Sequence, residues 1–163
     1  MDFAKQAIKT SVVACIIDDR QRVLLTRRCI EPFCSQWVMP GGKIDHGEAI
    51  LAALHREVRE EVGLEVHVTG LIDVYEHLAI GERQDHYVIL YYRCAPTSFE
   101  LHPNGDECTE AAWFAAEQLP EMPLPPGCRH ILAQVFPQLP WGATPKAEDA
   151  ANELPDQLNL PEG

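Results

Sequence analysis

Positive charge is scarce in this sequence of 163 residues, which has 13 Lys and Arg against 25 Asp and Glu and a formal net charge of −12. Proteins that bind nucleic acid polymers or anionic membranes without sequence preference use clustered Lys and Arg side chains. The composition therefore argues against both kinds of partner. It does not exclude a small phosphorylated ligand, because a divalent cation can bridge two anions.

Two further patterns are missing. The sequence contains no C-x-x-C pair and therefore gives no zinc signal, although it has six cysteines. No apolar run approaches the roughly eighteen residues of a membrane-spanning helix, and Asp18 and Asp19 end the first apolar segment without a cleavage-site pattern. We therefore expect a reduced, cytoplasmic protein, because disulfides rarely persist in that compartment.

The order of apolar patterns predicts an α/β fold. Helical spacing of apolar residues occurs twice, at residues 48–62 and 127–136, and Gly63 suits the end of the first helix. Five segments rich in β-branched or aromatic residues, or alternating with period two, predict strands: 11–18, 22–28, 64–78 with a break at Gly70, 86–95 and 111–115. A short polar turn between the first two strands indicates a hairpin.

The composition changes near residue 140. Residues 141–163 have three prolines and a net charge of −4. We predict one domain over residues 1–139 and an acidic tail over residues 140–163. The tail is expected either to be disordered or to dock on the body or on a second subunit through three leucines: Leu154, Leu158 and Leu160.

Glutamates are concentrated in one helical stretch, "GGKIDHGEAILAALHREVREEVGL", residues 41–64. Glu57, Glu60 and Glu61 fall within roughly 100° of a helix circumference, beside an apolar stripe. Like charges four residues apart destabilise a helix, so they need compensation from arginines or from a hard cation such as Mg²⁺ or Mn²⁺. A solvated acidic face would explain the same spacing. The double glycine before the helix suggests backbone angles that other residues avoid.

The residues around these glutamates resemble the signature of the Nudix hydrolases. A glycine, five residues, a glutamate and seven further residues precede "REVREEVGL", and every fixed position of the signature is filled: Gly42, Glu48, Arg56, Glu57, Glu60, Glu61 and Gly63. The segments "LLTRR", "WVMPGG" and "ECTEAAWFAAEQLP" also look like parts of that family. The resemblance covers residues from about 8 to 138.

The resemblance implies a fold and a reaction. The fold would be an α/β/α sandwich with a mixed β-sheet, with the helix of the signature on one face and the terminal helix on the other. The reaction would be Mg²⁺-dependent hydrolysis of a diphosphate linkage in a nucleotide, with a nucleoside triphosphate cleaved to monophosphate and pyrophosphate as the favoured case. An ADP-ribose or nucleotide-sugar pyrophosphatase, or a nucleotide sensor without catalysis, stays open. The protein would act as a monomer or a homodimer.

The resemblance also implies roles for the acidic residues. The metal ligands would be three glutamates and one backbone carbonyl: Glu57, Glu60, Glu61 and the carbonyl of Gly42. Arg56 would orient a ligating glutamate, and Glu48 would join the same network. For the general base we prefer Glu107 over Glu110, both of which lie just before "AAWF".

Substrate-binding roles follow in the same way. Arg28 resembles an arginine that binds substrate phosphate, Lys43 could assist it, and Arg27 would point to the opposite face of the strand. Three aromatic residues could either stack on a base or belong to the core: Trp37, Tyr87 and Trp113.

Overall fold

The structure is a computed structural model that describes residues 7–29, 34–79, 85–106 and 108–142. The strands in these ranges are β1 (Lys9–Ile16), β2 (Arg22–Arg28), β3 (Trp37–Val38), β4 (Gly41–Lys43), β5 (Val66–Ala79), β6 (Asp85–Pro96) and β7 (Cys108–Ala115). The α-helices are α1 (Ile50–Val62) and α2 (Pro126–Val135), and a 3₁₀ helix spans Ala116–Glu121. In this part of the chain no helix is long and apolar enough to span a membrane.

The strands form two sheets. The first has the order β4-β1-β6-β5, in which β1 and β6 are parallel and the other neighbours are antiparallel. The second is antiparallel, with the order β3-β2-β7. The mixed sheet predicted from the sequence is confirmed.

The hairpin predicted for β1 and β2 is wrong, although both strands form. They belong to different sheets and share a single bridge, between Ile17 and Val23. The reason is that β4 and β6 occupy both edges of β1, so no edge remains for β2. Between the strands, the Asp18 carboxylate accepts hydrogen bonds from the backbone N–H groups of Arg20 and Arg22 at 2.9 and 2.8 Å.

Alternate residues of β1 enter two separate cores. Val12 faces the core that α1 covers through Leu54 and Val58. Val13 faces the core that α2 covers through Ile131. The two helices therefore lie on opposite faces of the first sheet, which confirms the predicted sandwich.

Several element boundaries agree with local signals in the sequence. Gly63 ends α1 in the left-handed region, with φ of 73°, and its N–H donates to the carbonyl of Arg59. The pairing of β5 with β6 shifts register between Val68 and Gly70, where the sequence predicts a break. In the middle of β6, Tyr87, Ile89 and Tyr91 are buried and the residues between them, Val88 and Leu90, are half-buried, because α1 lies over β1 and β4.

The packed chain continues past residue 139, where we placed the domain boundary. Trp141 is buried in the core beneath α2, and its indole N–H donates to the carbonyl of Phe136 at 2.8 Å. Arg129 donates to the carbonyl of Trp141 at 3.2 Å. The three leucines of the predicted tail lie outside the described residues.

Candidate active site

The helix α1 places two glutamates inside the protein and one outside. Glu57 and Glu61 are 3% and 5% exposed and share the buried face of the helix with Leu54 and Val58. The side chain of Glu60 is 58% exposed. The sequence predicted all three at the border between core and solvent, so for Glu57 and Glu61 it underestimated burial. Their helical positions continue the apolar stripe, and α1 packs against β4 at that stripe.

The two glycines of β4 allow close contacts, Gly42 with the Glu57 carboxylate and Gly41 with β1. A Cβ atom on Gly42 would lie 2.5 Å from Cδ of Glu57, and one on Gly41 would lie 2.4 Å from the carbonyl oxygen of Val12. Neither glycine has a positive φ. The expectation of unusual backbone angles is therefore wrong, and close approach is the reason for glycine here. The N–H of Gly41 donates to the Glu61 carboxylate at 3.3 Å.

Arg56 holds the acidic side chains in place. Its Nε and Nη2 donate to both oxygens of Glu48, at 2.8 and 3.0 Å. Its Nη1 donates to Glu57 at 2.8 Å and to Glu60 at 3.3 Å. Nη2 also donates to the carbonyl of Lys43 at 3.1 Å, which ties the guanidinium to β4. The fork of an arginine is suited to holding several oxygens at once.

The charges around Arg56 do not balance. This one guanidinium lies within 3.6 Å of four carboxylates, those of Asp45, Glu48, Glu57 and Glu60. Hydrogen bonds from Arg56 lower the pKa of Glu48 below its ordinary value, and the hydrogen bond to Glu48 raises the pKa of Arg56 further above its own. Arg56 therefore stays charged, and the cluster keeps excess negative charge that a bound cation would offset.

The cluster fits a divalent cation in its chemistry, although it is not preassembled. Among the described residues, no group of three or more His, Cys, Asp or Glu side chains has the arrangement of a metal site. The reason is that Glu57 and Glu60 turn to the same nitrogen of Arg56, while Glu61 turns to Gly41. The donors are all oxygen atoms, which Mg²⁺ and Mn²⁺ prefer.

The loop before β7 closes the end of α1. The N–H groups of His102 and Asn104 donate to the carbonyls of Val62 and Glu61, at 2.9 and 3.1 Å. This loop precedes Glu107, which lies outside the described residues. The alternative base Glu110 is exposed and forms an ion pair with Arg27 at 3.6 Å. No local pattern in "LHPNGD" signals that the loop binds a helix terminus.

The predicted phosphate-binding cations do not join the carboxylates. Lys43 pairs with Ser11, one residue after Gly42, so its side chain lies on the face of β4 opposite Glu57. Arg28 is buried at the end of β2. Burial raises the pKa of Cys128, on α2, to about 11, and the charge of Arg28 opposes that effect. Arg28 therefore lies near Cys128.

The three aromatic residues have different surroundings. Trp37 and Phe114 make an edge contact with centroids 4.8 Å apart beside the α2-side core. Tyr87 is buried in that core. Trp113 lies on the other side, where it contacts Phe99.

A groove of about 460 Å³ lies near the carboxyl ends of β1 and β6, with Asp18, Thr69, Arg93 and Phe99 among its walls. None of the predicted site residues lines it. The groove is therefore separate from the carboxylate cluster.

Comparison with known proteins gives this cluster its context. A family model described as the NUDIX domain matches residues 8–135 of the chain. The chain belongs to the NUDIX domain family. The match covers β1 to α2, and members of the NUDIX family generally use a divalent metal.

The relatives within the NUDIX family carry different names. The human 8-oxo-dGDP phosphatase NUDT18 is 30% identical over 112 residues, which are 67% of this chain and 33% of that protein. An ADP-ribose pyrophosphatase from Methanocaldococcus jannaschii is 32% identical, over 66% of this chain and 62% of its own length. The nucleoside triphosphatase NudI from Salmonella schwarzengrund is 33% identical, over 62% of this chain and 77% of its own length. The chain thus spans about a third of the first relative and under two thirds of the second.

A solved structure agrees with the assignment to the NUDIX family. The crystal structure of a MutT NUDIX hydrolase from Burkholderia pseudomallei superposes with a TM-score of 0.72 and 31% identity. The alignment covers 80% of this chain and 99% of that one. The fold described above is therefore that of the family.

Proposed function

We propose that this protein hydrolyses a diphosphate linkage in a nucleotide, with Mg²⁺ as the preferred cation. The favoured substrate is a nucleoside triphosphate, cleaved to the monophosphate and pyrophosphate. One observation carries the proposal: Arg56 gathers Glu48, Glu57 and Glu60 against the glycines of β4, within a chain of the NUDIX family. The relative named nucleoside triphosphatase NudI supports the choice of substrate.

The acidic residues would hold the cation. Glu57, Glu60, Glu61 and the carbonyl of Gly42 supply oxygen ligands, and the excess negative charge of the cluster favours binding. When bound, the cation neutralises phosphate oxygens and makes water a stronger nucleophile at neutral pH. Mn²⁺ has the same ligand preference and can substitute for Mg²⁺.

The protein's own groups orient the reaction. Arg56 fixes the rotamers of Glu57 and Glu60 by hydrogen bonds, and the N–H of Gly41 fixes that of Glu61. Glu107 accepts the proton of the attacking water. The water oxygen bonds to one phosphorus as the P–O bond of the diphosphate linkage breaks, and the products, nucleoside monophosphate and pyrophosphate, separate as anions. Arg28 and Lys43 bind phosphate groups of the substrate from the α2 side.

A second substrate class has its own support. The relative from M. jannaschii is named an ADP-ribose pyrophosphatase and is as similar in sequence as the triphosphatase. ADP-ribose and sugar nucleotides contain the same diphosphate linkage, so the same carboxylates would act on them. A nucleotide sensor without catalysis is disfavoured because all carboxylates of the signature are present.

The state of the cysteines bears on the redox compartment in which the protein acts. Those whose side chains the structure describes are all free, and three are buried: Cys15, Cys94 and Cys128. We propose that the protein acts in the reduced cytoplasm, as a monomer or homodimer, on small nucleotides.

A nucleotide panel tests the proposal. The purified protein is incubated with Mg²⁺ or Mn²⁺ and with nucleoside triphosphates, 8-oxo-dGDP, ADP-ribose and sugar nucleotides, and the products are separated by anion exchange. We expect monophosphate and pyrophosphate from a triphosphate at the highest kcat/KM. Faster cleavage of ADP-ribose would favour the second class. Tight binding without cleavage of any nucleotide would contradict the proposal and indicate a sensor.

A further inference from the structure

Two cysteines lie opposite each other where β2 ends. The N–H of Ser35 donates to the carbonyl of Arg28 at 2.7 Å, and the N–H of Arg28 donates to the carbonyl of Gln36 at 2.9 Å. Ser35, with a φ of 73°, and Gln36 therefore both oppose Arg28, which is a β-bulge. Cys29 directly follows Arg28, and Cys34 directly precedes Ser35. The two cysteines thus flank one backbone hydrogen bond between antiparallel segments.

This position suits a disulfide bond. Residues that flank such a hydrogen bond are themselves opposite each other, with Cα atoms about 4.5 Å apart in a regular antiparallel ladder. A disulfide needs Cα atoms about 4.4–6.8 Å apart. Cys29 is half-buried, Cys34 is exposed, and both are free thiols in the structure. At this spacing a bridge requires new side-chain rotamers rather than a movement of β2.

The buried cysteines are unsuited to the same chemistry. Burial in the two cores raises the pKa of Cys15 and of Cys94 to about 12 and that of Cys128 to about 11. Disulfide exchange proceeds through the thiolate, which such thiols rarely form near neutral pH. Among the cysteines whose side chains the structure describes, Cys29 and Cys34 are therefore the reactive pair.

The Cys29 thiol also joins β2 to the loop before β7. Its Sγ donates to the carbonyl of Asp106 at 3.1 Å, and the N–H of Asp106 donates to Oδ1 of Asn104 at 2.9 Å. The N–H of Asn104 in turn donates to the carbonyl of Glu61 at 3.1 Å. A chain of three hydrogen bonds thus connects Cys29 with the end of α1, where Glu61 supplies a carboxylate of the cluster.

We propose that Cys29 and Cys34 form a reversible disulfide under oxidising conditions, which removes the hydrogen bond from Cys29 to Asp106 and slows turnover. The disulfide depends only on the two cysteines, whereas its effect on turnover rests on the proposed function. Exposed disulfides are the ones that cellular thiols reduce most readily. The pair is therefore a site of reversible modification that stays reduced in the ordinary cytoplasm.

The oxidant is a small-molecule disulfide such as oxidised glutathione. The thiolate of Cys34, which is the more exposed, attacks one sulfur of the oxidant, forms a mixed disulfide and releases one glutathione thiolate. The thiolate of Cys29 then attacks Sγ of Cys34 and releases the second. In total the two cysteines lose two electrons and two protons, and one oxidised glutathione gains them as two glutathione thiols.

Mass spectrometry of tryptic peptides tests the bridge directly. The purified protein is equilibrated in glutathione buffers of increasing oxidised fraction, free thiols are blocked, and the chain is cut with trypsin. The peptide of residues 29–43 contains both cysteines, and the peptide of residues 94–129 contains Cys94, Cys108 and Cys128. We expect the first peptide to become lighter by two hydrogens and to escape blocking. A link between the two peptides, a lasting glutathione adduct or thiols that stay blockable in every buffer would overturn the inference.

Matched variants separate the pair from its neighbours. Cys34→Ser removes one thiol and keeps the bond from Cys29 to Asp106, so we expect wild-type kcat that no longer responds to oxidised glutathione. Cys108→Ser is the control, because Cys108 pairs with Arg28 from β7 and its loss should leave the bridge intact. On oxidation, kcat of the wild type and of Cys108→Ser should fall about 3- to 10-fold, on the scale of one lost hydrogen bond, and recover with dithiothreitol.

The outcomes separate this inference from the proposed function. A bridge between Cys29 and Cys34 that leaves kcat unchanged would overturn the effect on turnover. An equal loss of kcat in oxidised Cys34→Ser would do the same, because the oxidant would then act elsewhere. If the wild type cleaves no nucleotide, the proposed function and the effect on turnover fall together, while the peptide masses still decide whether the disulfide forms.

Discussion

The two faces of strand β4 hold polar groups of different character. On the α1 face, Glu57 and Glu61 are charged side chains fixed by Arg56 and by the N–H of Gly41. On the α2 face, the hydroxyl of Ser11 is buried without a partner among the described residues. The first arrangement is held by the protein's own hydrogen bonds and carries excess negative charge. The difference places the chemistry of the proposed function on the α1 face.

The largest expected loss of turnover comes from substitutions on the α1 face alone. Glu57→Gln, Glu60→Gln and Glu61→Gln each remove a charged oxygen ligand, and cation binding contributes several kcal/mol to such reactions. We expect turnover to fall by about 100-fold or more while the circular dichroism spectrum stays that of the wild type. Glu65→Gln is the control, since Glu65 is exposed and pairs with Arg59 outside the cluster. Wild-type turnover in all three variants would contradict the assignment.

A smaller loss should follow from displacing a carboxylate without changing its chemistry. Gly42→Ala places a Cβ atom 2.5 Å from Cδ of Glu57, so the carboxylate must move. A displacement of about 1 Å can reduce turnover by about 100-fold. At Gly70 a Cβ atom would meet nothing within 4 Å, so Gly70→Ala is the matched control. If both variants had equal kcat, the close packing of Glu57 on β4 would not contribute to turnover.

Arg56→Lys should have a still smaller effect. Lysine keeps the charge but has no fork, so it cannot hold Glu48, Glu57 and Glu60 together. Losing an orienting partner of a metal ligand reduces metal affinity or activity about 10- to 100-fold. The apparent Kd for Mn²⁺ and the kcat are measured beside Arg59→Lys, whose side chain is exposed. Equal values of Kd and kcat for the two variants would show that Arg56 contributes only its positive charge.

The smallest effect concerns acid stability. Hydrogen bonds from Arg56 lower the pKa of Glu48, so the folded state prefers the carboxylate. That stability is fully present above the unfolded-state pKa of about 4.3 and is lost as pH falls through the lower folded-state pKa. The Tm difference between wild type and Glu48→Gln should therefore be constant near neutral pH and shrink below about pH 4.3. A difference that stays constant at the lowest pH would exclude this linkage.

Much of the α1 face could be predicted because its signals are local. Helical spacing of Leu54, Val58 and Val62 fixes the buried stripe, and Gly63 marks the end of the helix. The signature residues then identify which glutamates matter. Local periodicity did not show that Glu57 and Glu61 would be buried, because their burial depends on how closely β4 approaches the helix.

The α2 face was much less predictable because it depends on pairing between distant strands. Ser11 and Tyr87 come together only through the parallel pairing of β1 and β6, which no local pattern specifies. The same is true of the split between β1 and β2, which follows from competition for the edges of β1. Glycine at positions 41 and 42 was correctly noted, but only the packed structure shows that close approach is its purpose.

The most direct test of the central claim is to locate the cation. Crystals grown with Mn²⁺ and a non-hydrolysable nucleotide are measured at a wavelength where manganese scatters anomalously. The account predicts an anomalous peak within coordination distance of oxygens of Glu57, Glu60 and Glu61. A bound nucleotide with no manganese at these glutamates would contradict it.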